Sequence, residues 1–153
     1  MPLHEKIICS YILIAEKILS EADTVPSAIR LVDVFSYGPL PPTLPPGLPQ
    51  PAVQMALLFI AKFPPKSSDR MHHVAEIRLL RPNGEITTIG EPYRFVLADP
   101  AIPEAPDSLN LIVPQLGVLI KQQGVHYFTV SLDGVEVART PFTLRENPPA
   151  PAQ

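Results

Sequence analysis

Several features of secreted, membrane-bound or disulfide-rich proteins are missing from this sequence of 153 residues. Its single cysteine, Cys9, rules out a disulfide framework within the chain, which favours a reducing compartment. No apolar run reaches the ~18 residues that a transmembrane helix needs. The run from Ile7 to Ala15 has the length of a signal-peptide core, but Glu16 and Lys17 follow it and no small-x-small cleavage site appears. These absences predict a cytoplasmic protein.

The residue patterns that carry catalysis or metal binding are also missing. There is no G-x-S-x-G nucleophile elbow, no glycine-rich phosphate loop and no calcium loop. His72 and His73 are adjacent on an expected strand, so they point to opposite faces and do not converge on one metal. Cys9 lies in an apolar run, where a cysteine is expected to be a small buried hydrophobe. We therefore predict no enzyme, no cofactor and no metal site, with a His–carboxylate enzyme around His73 or His126 as the remaining alternative.

The charge balance excludes two classes of partner. The chain has 12 Lys and Arg against 15 Asp and Glu, a net charge of −3. Nucleic acids and anionic membrane surfaces are bound by basic patches, which this composition does not indicate. We predict neither nucleic acid nor membrane as a partner.

Proline is the residue in clearest excess. The chain has 21 prolines, where the typical frequency of about 5% would give about eight. Proline at this level disfavours long helices and favours short strands with stiff connections. The tract from Pro39 to Pro51 is therefore expected to be an extended, polyproline-like loop.

The clearest local signal is a β-hairpin between Gly124 and Leu144. Asp133-Gly134 is a preferred two-residue turn, because a type I′ turn needs positive φ at both positions. The runs on either side are rich in β-branched and aromatic residues. With this turn, two apolar pairs share one face, namely Leu132 with Val135 and Val130 with Val137.

Farther from the turn, the second strand of the hairpin must change phase. Phe142 and Leu144 have the opposite parity to the apolar residues near the turn. A bulge or strand switch near Arg139 to Pro141 would reset the alternation. Pro141 has no N–H to donate to a ladder, so this end of the strand is expected to be an edge.

Other segments of the chain also read as strands, separated by turn signals every ~8 to 12 residues. Residues 7–15 are expected to form a strand, although the spacing of their apolar residues fits an amphipathic helix as well. The remaining segments are 28–36, 53–63, 72–81, 85–90, 93–98 and 109–113, with 116–120 leading into the hairpin; Pro114 marks an edge or a bulge. We predict an all-β fold in one domain, 1–146, followed by a flexible Pro-rich tail, 147–153.

Three stretches of the sequence resemble an uncharacterised family of small bacterial proteins. They are GVHYFTVSLDG in the hairpin, ILIAEKI with RLVDVF near the start, and IRLLRPNGE in the middle. That family is grouped as a domain of unknown function and has a G-x-Y-x-F-x-V-x-x-D-G hairpin. Here the tyrosine is Tyr127, one position later. The resemblance implies an immunoglobulin-like β-sandwich, consistent with about seven to nine antiparallel strands, and it implies no activity or ligand.

The specific function is not given by any motif, and the sequence favours a non-catalytic protein-interaction or structural module. An edge near Pro141 would accept a strand from a protein partner, so Arg139 and Pro141 are predicted binding residues. Tyr127 and Tyr93 are added to them as candidates for an exposed aromatic contact. The apolar Val74 and Leu80, with the two-sided strand 53–63, indicate a second buried surface, either sheet packing or a homodimer contact. The alternative function is a small-ligand or carbohydrate-binding sandwich with an aromatic platform drawn from the tyrosines at positions 37, 93 and 127.

Overall fold

Two β-sheets packed against each other form the fold in a computed structural model of the chain, which describes residues 1–20, 26–98, 102 and 104–152. The all-β prediction is confirmed. A 3-10 turn at Leu3–Lys6 precedes the strands of the described residues, which are β1 (Cys9–Ser20), β2 (Pro26–Leu31), β3 (Val34–Tyr37), β4 (Ala52–Phe63), β5 (His73–Leu80), β6 (Ile86–Phe95), β7 (Asp107–Leu119), β8 (Gly124–Leu132) and β9 (Val135–Glu146). No helix among these residues is long and apolar enough to cross a membrane.

The strand order places β9 and β8 inside the second sheet. The first sheet has the order β2-β1-β4-β7 and the second has the order β3-β9-β8-β5-β6. Neighbouring strands are antiparallel except for β3, which runs parallel to β9. The expectation of antiparallel strands throughout is therefore wrong at β3.

The parallel pairing arises because the predicted strand 28–36 is divided between the two sheets. The N–H of Val32 donates to the carbonyl of Ile14 in the first sheet, at 2.9 Å. The carbonyl of the next residue, Asp33, accepts from the N–H of Thr143 in the second sheet, at 2.8 Å. The chain therefore crosses between sheets at this point, and β2 and β3 are separate strands.

Residues 9–20 form a strand rather than the alternative helix. β1 lies between β2 and β4, and Ile12 pairs with Phe59 of β4. Ile12 and Ile14 point into the main core, whereas Ala15 packs in a smaller cluster. The apolar residues on both faces of β1 thus fit its position as an inner strand of the sheet.

The main core lies between the sheets, and a smaller apolar cluster lies on the other face of the first sheet. β4 contributes to both, which accounts for its apolar residues on both faces. The main core includes Ile12, Ile14, Leu57, Phe59, Leu111, Phe128, Val130 and Phe142. The smaller cluster consists of Ala15, Ile18, Ala56 and Leu58.

The turn of the β8–β9 hairpin is the predicted one. Asp133 has a φ of 49° and Gly134 a φ of 85°, as a type I′ turn requires. Leu132 pairs with Val135, also as predicted. The local sequence was therefore sufficient to determine this end of the hairpin.

The phase change in β9 occurs closer to the turn than expected. Val130 pairs with Ala138, so the predicted pair with Val137 is wrong and Val137 is the extra residue of a bulge. The bulge restores the alternation, and Phe142 and Leu144 are buried. A phase change was predicted correctly, but its position was not.

The prediction that Pro141 marks a sheet edge is wrong. β3 pairs with β9 over Thr143 to Glu146, on the side away from β8. On the turn side of Pro141, the Ser10 hydroxyl donates to the carbonyl of Val137. β3 and Ser10 of β1 therefore cover β9 on either side of a proline that alone would place this strand at an edge.

Two bulges join segments that were predicted to be separate strands. Segments 109–113 and 116–120 form one strand, β7, whose register shifts opposite Met55 and Leu57. β7 is also the edge strand of its sheet, so the prediction for Pro114 is confirmed. Residues 86–95 likewise form one strand, β6, with a register shift opposite Ala75 and Ile77.

The predicted tail begins close to the second sheet. The N–H of Asn147 donates to the carbonyl of Tyr37 at 2.8 Å. The last residue of the predicted tail, Gln153, lies outside the described residues. The domain boundary at residue 146 remains a prediction.

Gly124 occupies a backbone conformation that alanine adopts only at a cost. Its φ is 122°, and a Cβ added there would lie 3.1 Å from the Cγ of Pro82. We expect Gly124→Ala to lower the free energy of unfolding by about 1–3 kcal/mol, as measured by urea unfolding. Gly38→Ala is the control, because no described atom would lie within 4 Å of its Cβ. Equal losses in the two variants would contradict the strain at Gly124.

Candidate functional site

Three of the four predicted binding residues meet on the outer face of the second sheet. Tyr127 of β8 lies directly opposite Pro141 of β9. The guanidinium carbon of Arg139 is 5.4 Å from the centroid of the Tyr127 ring, within the range of a cation–π contact. The structure thus brings Tyr127, Arg139 and Pro141 into one cluster, although not at a sheet edge.

Glu136 holds the Arg139 side chain over this ring. Nε and Nη2 of Arg139 donate to the two carboxylate oxygens of Glu136, at 2.8 and 3.0 Å. The hydrogen bond and charge of Glu136 raise the pKa of Arg139, and the bond from Arg139 lowers the pKa of Glu136. Both side chains are therefore charged at neutral pH, and the bidentate geometry orients the guanidinium.

The cluster continues as a row of side chains across four strands. Tyr127 also pairs with Leu80 of β5, and Leu80 pairs with Ile86 of β6. Ile86 is 62% exposed, Pro141 is exposed, and Leu80 and Tyr127 are half-buried. We call Ile86, Leu80, Tyr127 and Pro141 the outer row. Ile86 was not singled out from the sequence; its signal was its position just after the Pro-Asn-Gly turn, opposite Leu80.

The adjacent residues on this face are polar. Arg78 is two residues from Leu80 on the same strand, and its Nη2 donates to the Glu76 carboxylate at 2.8 Å. Thr129 of β8 lies between Arg78 and Arg139. The apolar outer row therefore has a charged and hydroxyl-bearing border, which is the usual arrangement at protein interfaces.

Tyr93, the fourth predicted residue, lies on the opposite face of the sheet. It pairs with Ala75, whose side chain points into the core. Its ring stacks on Phe95 with centroids 6.0 Å apart, and it is 51% exposed. Tyr93 is therefore not part of the outer row.

Tyr93 lines a groove of about 380 Å³ between β6 and β7. Each of these strands lies at one edge of its sheet. The walls are mainly apolar, with Glu91 and Asn110 as polar side chains; the apolar residues include Ile77, Ile89, Leu111, Ile112 and Val113. This groove is the second candidate site of the molecule.

His73 bridges two carboxylates at the start of β5. Its Nδ1 lies 2.7 Å from Oδ2 of Asp133, and its Nε2 lies 3.0 Å from both carboxylate oxygens of Asp69. Burial lowers the pKa of His73, but the hydrogen bonds and charges of Asp133 and Asp69 outweigh burial and raise it. Both ring nitrogens are engaged, so neither is free to take a proton from a substrate. The geometry favours a stabilising role for His73.

His126, the other histidine considered for catalysis, lies in the core. Its Nδ1 is 3.0 Å from the carbonyl oxygen of Gly124, and its ring stacks on Phe142 with centroids 5.1 Å apart. Burial is the largest cause of the lowered pKa of His126, and the charge of Arg81 lowers this pKa further. The hydrogen bond to Gly124 acts in the opposite direction but does not outweigh them. The ring is fully buried and packs on phenylalanine, which favours a structural role for His126.

The remaining candidates for chemistry do not form a centre in the described part of the chain. Cys9 is exposed at the start of β1, so the expectation that it is buried is wrong. No group of three or more His, Cys, Asp or Glu side chains that would hold a metal occurs among the described residues.

Comparison with known proteins identifies the family of the chain. No curated protein matches it. Among solved structures, it is similar to the Pseudomonas fluorescens alkylpurine DNA glycosylase AlkC bound to DNA containing an abasic site analog, with a TM-score of 0.35 and 12% identity, over 88% of this chain and 30% of that chain. The model of one family matches residues 42–145, which is more than half of the chain and spans β4 to β9. The chain therefore belongs to DUF6941, a family of unknown function.

Proposed function

We propose that the protein is a non-catalytic interaction module that binds a protein partner through the outer row. The observation that carries this proposal is the alignment of Ile86, Leu80, Tyr127 and Pro141 across four neighbouring strands. Tyrosine and arginine beside apolar residues, within a polar border, are typical of the energetic centres of interfaces. Arg139 supplies the arginine next to Tyr127.

The geometry of the outer row also keeps the cost of binding low. Its residues lie on paired strands, Tyr127 is held beneath Arg139, and Arg139 is fixed by Glu136. Side chains that are already ordered lose less conformational entropy when a partner binds. This favours recognition of a folded protein surface by a preformed patch.

We also infer that the sandwich is immunoglobulin-like and acts in the cytoplasm of a bacterium. The order β9-β8-β5 has the arrangement of strands G, F and C of that fold, with β6 in the place of C′, and β4 lies beside β7 as B lies beside E. The single cysteine supports a reducing compartment. The bacterial source rests on the resemblance of the hairpin and turn motifs.

The alternative, a small-ligand or carbohydrate-binding sandwich, finds less support. It requires an exposed aromatic platform, and the three tyrosines proposed for it do not converge. Tyr37 packs against the core from β3, Tyr127 lies beneath Arg139, and Tyr93 lies on the opposite face. A thermal-shift screen with sugars and nucleotides tests this alternative, and a concentration-dependent stabilisation by one of them would support it.

Ile86→Lys is expected to abolish partner binding without unfolding the protein. Ile86 is 62% exposed, so the substitution costs little stability, whereas a lysine would place a charge within the apolar row of the proposed interface. We expect affinity purification from the native host to recover one stoichiometric protein with the unaltered chain. With Ile86→Lys, the recovered amount of that protein is expected to fall at least about tenfold.

Ile8→Lys is the matched control, because Ile8 is 61% exposed and lies outside the outer row. It is expected to retain the partner. Loss of the partner in both variants, or in neither, would count against the outer row. Sedimentation of the purified chain tests the homodimer alternative, in which Ile86→Lys would convert dimers to monomers.

A further inference from the structure

We propose a second binding site, in the groove between β6 and β7, that takes an extended peptide strand with basic residues alternating with apolar ones. The site is independent of the outer row, because Tyr93 and the groove lie on the other side of the second sheet. The inference rests on three features of the groove: unpaired backbone groups, apolar walls and one unpaired carboxylate.

The first half of β7 presents backbone groups to the groove. On β4, the carbonyl of Lys62 accepts from the N–H of Ile8, on the β1 side. Because hydrogen bonding alternates along a strand, Phe59 and Ala61 bond instead toward β7, to their partners Leu111 and Leu109. Asn110 lies between these two partners, and Ile112 follows them. Both residues therefore direct their backbone N–H and C=O groups away from β4, into the groove.

The second half of β7 shows the same alternation and is already covered. The N–H of Ile120 donates to the carbonyl of Pro51, on the β4 side. The carbonyl of the preceding residue, Leu119, points the other way and accepts from Nη1 of Arg81 at 3.0 Å. Arg81 thus covers this end of the edge, whereas no described residue bonds to the backbone of Asn110 or Ile112. An unpaired edge of this kind pairs with an added strand.

The opposite wall of the groove favours β7 as the pairing edge. β6 is interrupted by its bulge, and Pro92 within it has no N–H to donate. The apolar side chains of Ile77, Ile89 and Leu111 line the gap between the strands. A strand paired with β7 would place alternate side chains against these walls.

Glu91 gives the groove its charge preference. It is the ionisable carboxylate among the residues lining the groove. No ion pair in the described part of the chain includes it. By contrast, Glu76, Glu85 and Glu136 each face a lysine or arginine. A lysine or arginine of the peptide would supply the missing cation, with the exposed ring of Tyr93 close by for a cation–π contact.

Two synthetic peptides test the proposal on the full chain. The first is acetyl-Val-Lys-Val-Lys-Val-amide, and the second has glutamate in place of both lysines. We expect the lysine peptide to shift the amide resonances of Asn110 and Ile112 in a saturable manner, and the glutamate peptide to bind more weakly. Absence of saturable shifts, equal binding of the two peptides, or shifts confined to the outer row would each overturn the proposal.

Two variants separate the charge from the backbone pairing. Glu91→Gln is expected to weaken binding of the lysine peptide about two- to fivefold. Glu5→Gln, whose site is not among the residues lining the groove, is expected to leave peptide binding unchanged. Asn110→Pro removes an edge donor at an exposed position of a strand that already holds Pro114, and it is expected to abolish binding. If this variant does not fold, the comparison of Glu91→Gln with Glu5→Gln decides.

The test also separates a peptide from other occupants and from the outer row. Butylammonium that binds as tightly as the lysine peptide would assign the groove to a small amine and overturn the peptide proposal. Ile86→Lys is expected to leave the peptide affinity unchanged. The proposal for the groove and the proposal for the outer row can therefore be supported or overturned separately.

Discussion

Replacing Phe142 with alanine is expected to lower the free energy of unfolding by about 3–5 kcal/mol, the usual cost of deleting a buried phenylalanine ring. Phe142 is 1% exposed. Its ring stacks on Phe128 with centroids 4.9 Å apart and meets Phe35 edge-on at 6.1 Å. The substitution therefore removes both the buried area of the ring and its aromatic contacts. Urea unfolding followed by circular dichroism measures the loss.

The same experiment tests the bulge at Val137. Without the extra residue, the alternation from the turn would place Phe142 on the outer face, where truncation costs less than about 1 kcal/mol. Val135→Ala on the same strand is the control, because Val135 is 41% exposed and is expected to tolerate truncation. A small loss for Phe142→Ala, similar to the control, would show that the register of β9 is wrong.

The β8–β9 hairpin shows which structural features the local sequence determines. Asp133 and Gly134 determine the turn by their own backbone preferences, so the turn and its first pair were predictable. The position of the bulge was not, because extra residues at Val137 or near Arg139 both turn Phe142 inward. The bulge lies beside β1, a strand distant in sequence, whose Ser10 hydroxyl donates to the carbonyl of Val137.

The crossover between β2 and β3 depends on partners distant in sequence. Val32 bonds to Ile14, whereas Asp33 bonds to Thr143, more than a hundred residues away. The alternation of side-chain types in residues 28–36 indicates that successive side chains face different environments. It does not indicate which sheet pairs with each residue. One strand was therefore predicted where there are two. The edge at Pro141 was predicted from the missing N–H of proline, which does not report that β3 pairs with the next residues of β9.

The candidate site was predicted in part, and for a different reason from the one the structure supplies. Arg139 and Pro141 were selected for an expected edge and Tyr127 as an aromatic side chain, yet the three meet because β8 and β9 pair in the shifted register. Ile86 joins them through Leu80, across two further strand pairings that no local pattern encodes. Residue types on single strands are readable from sequence, but their alignment across a sheet requires the register.

His73→Gln is expected to make the stability of the protein less dependent on pH. The carboxylates of Asp133 and Asp69 raise the pKa of His73 above its ordinary value of about 6.5. The protonated ring therefore stabilises the fold fully below about pH 6.5, and this contribution is lost as the pH rises through the raised pKa. We expect a loss of about 2–3 kcal/mol at pH 6, below the 3–5 kcal/mol of a fully buried pair because both carboxylates are partly exposed.

At pH 9 the loss is expected to fall below about 1 kcal/mol, because the neutral ring no longer donates to both carboxylates. The pKa of Asp69 is lowered, chiefly by the N–H of Met71 and then by His73, so this carboxylate stays ionised well below neutral pH. His72→Gln is the matched control: His72 is the adjacent, exposed histidine and is expected to change the stability little at either pH. Urea unfolding of the three proteins at pH 6 and pH 9 gives the comparison. A loss for His73→Gln that is equal at both pH values would mean that His73 stabilises the fold by packing on Phe95 rather than by its charge.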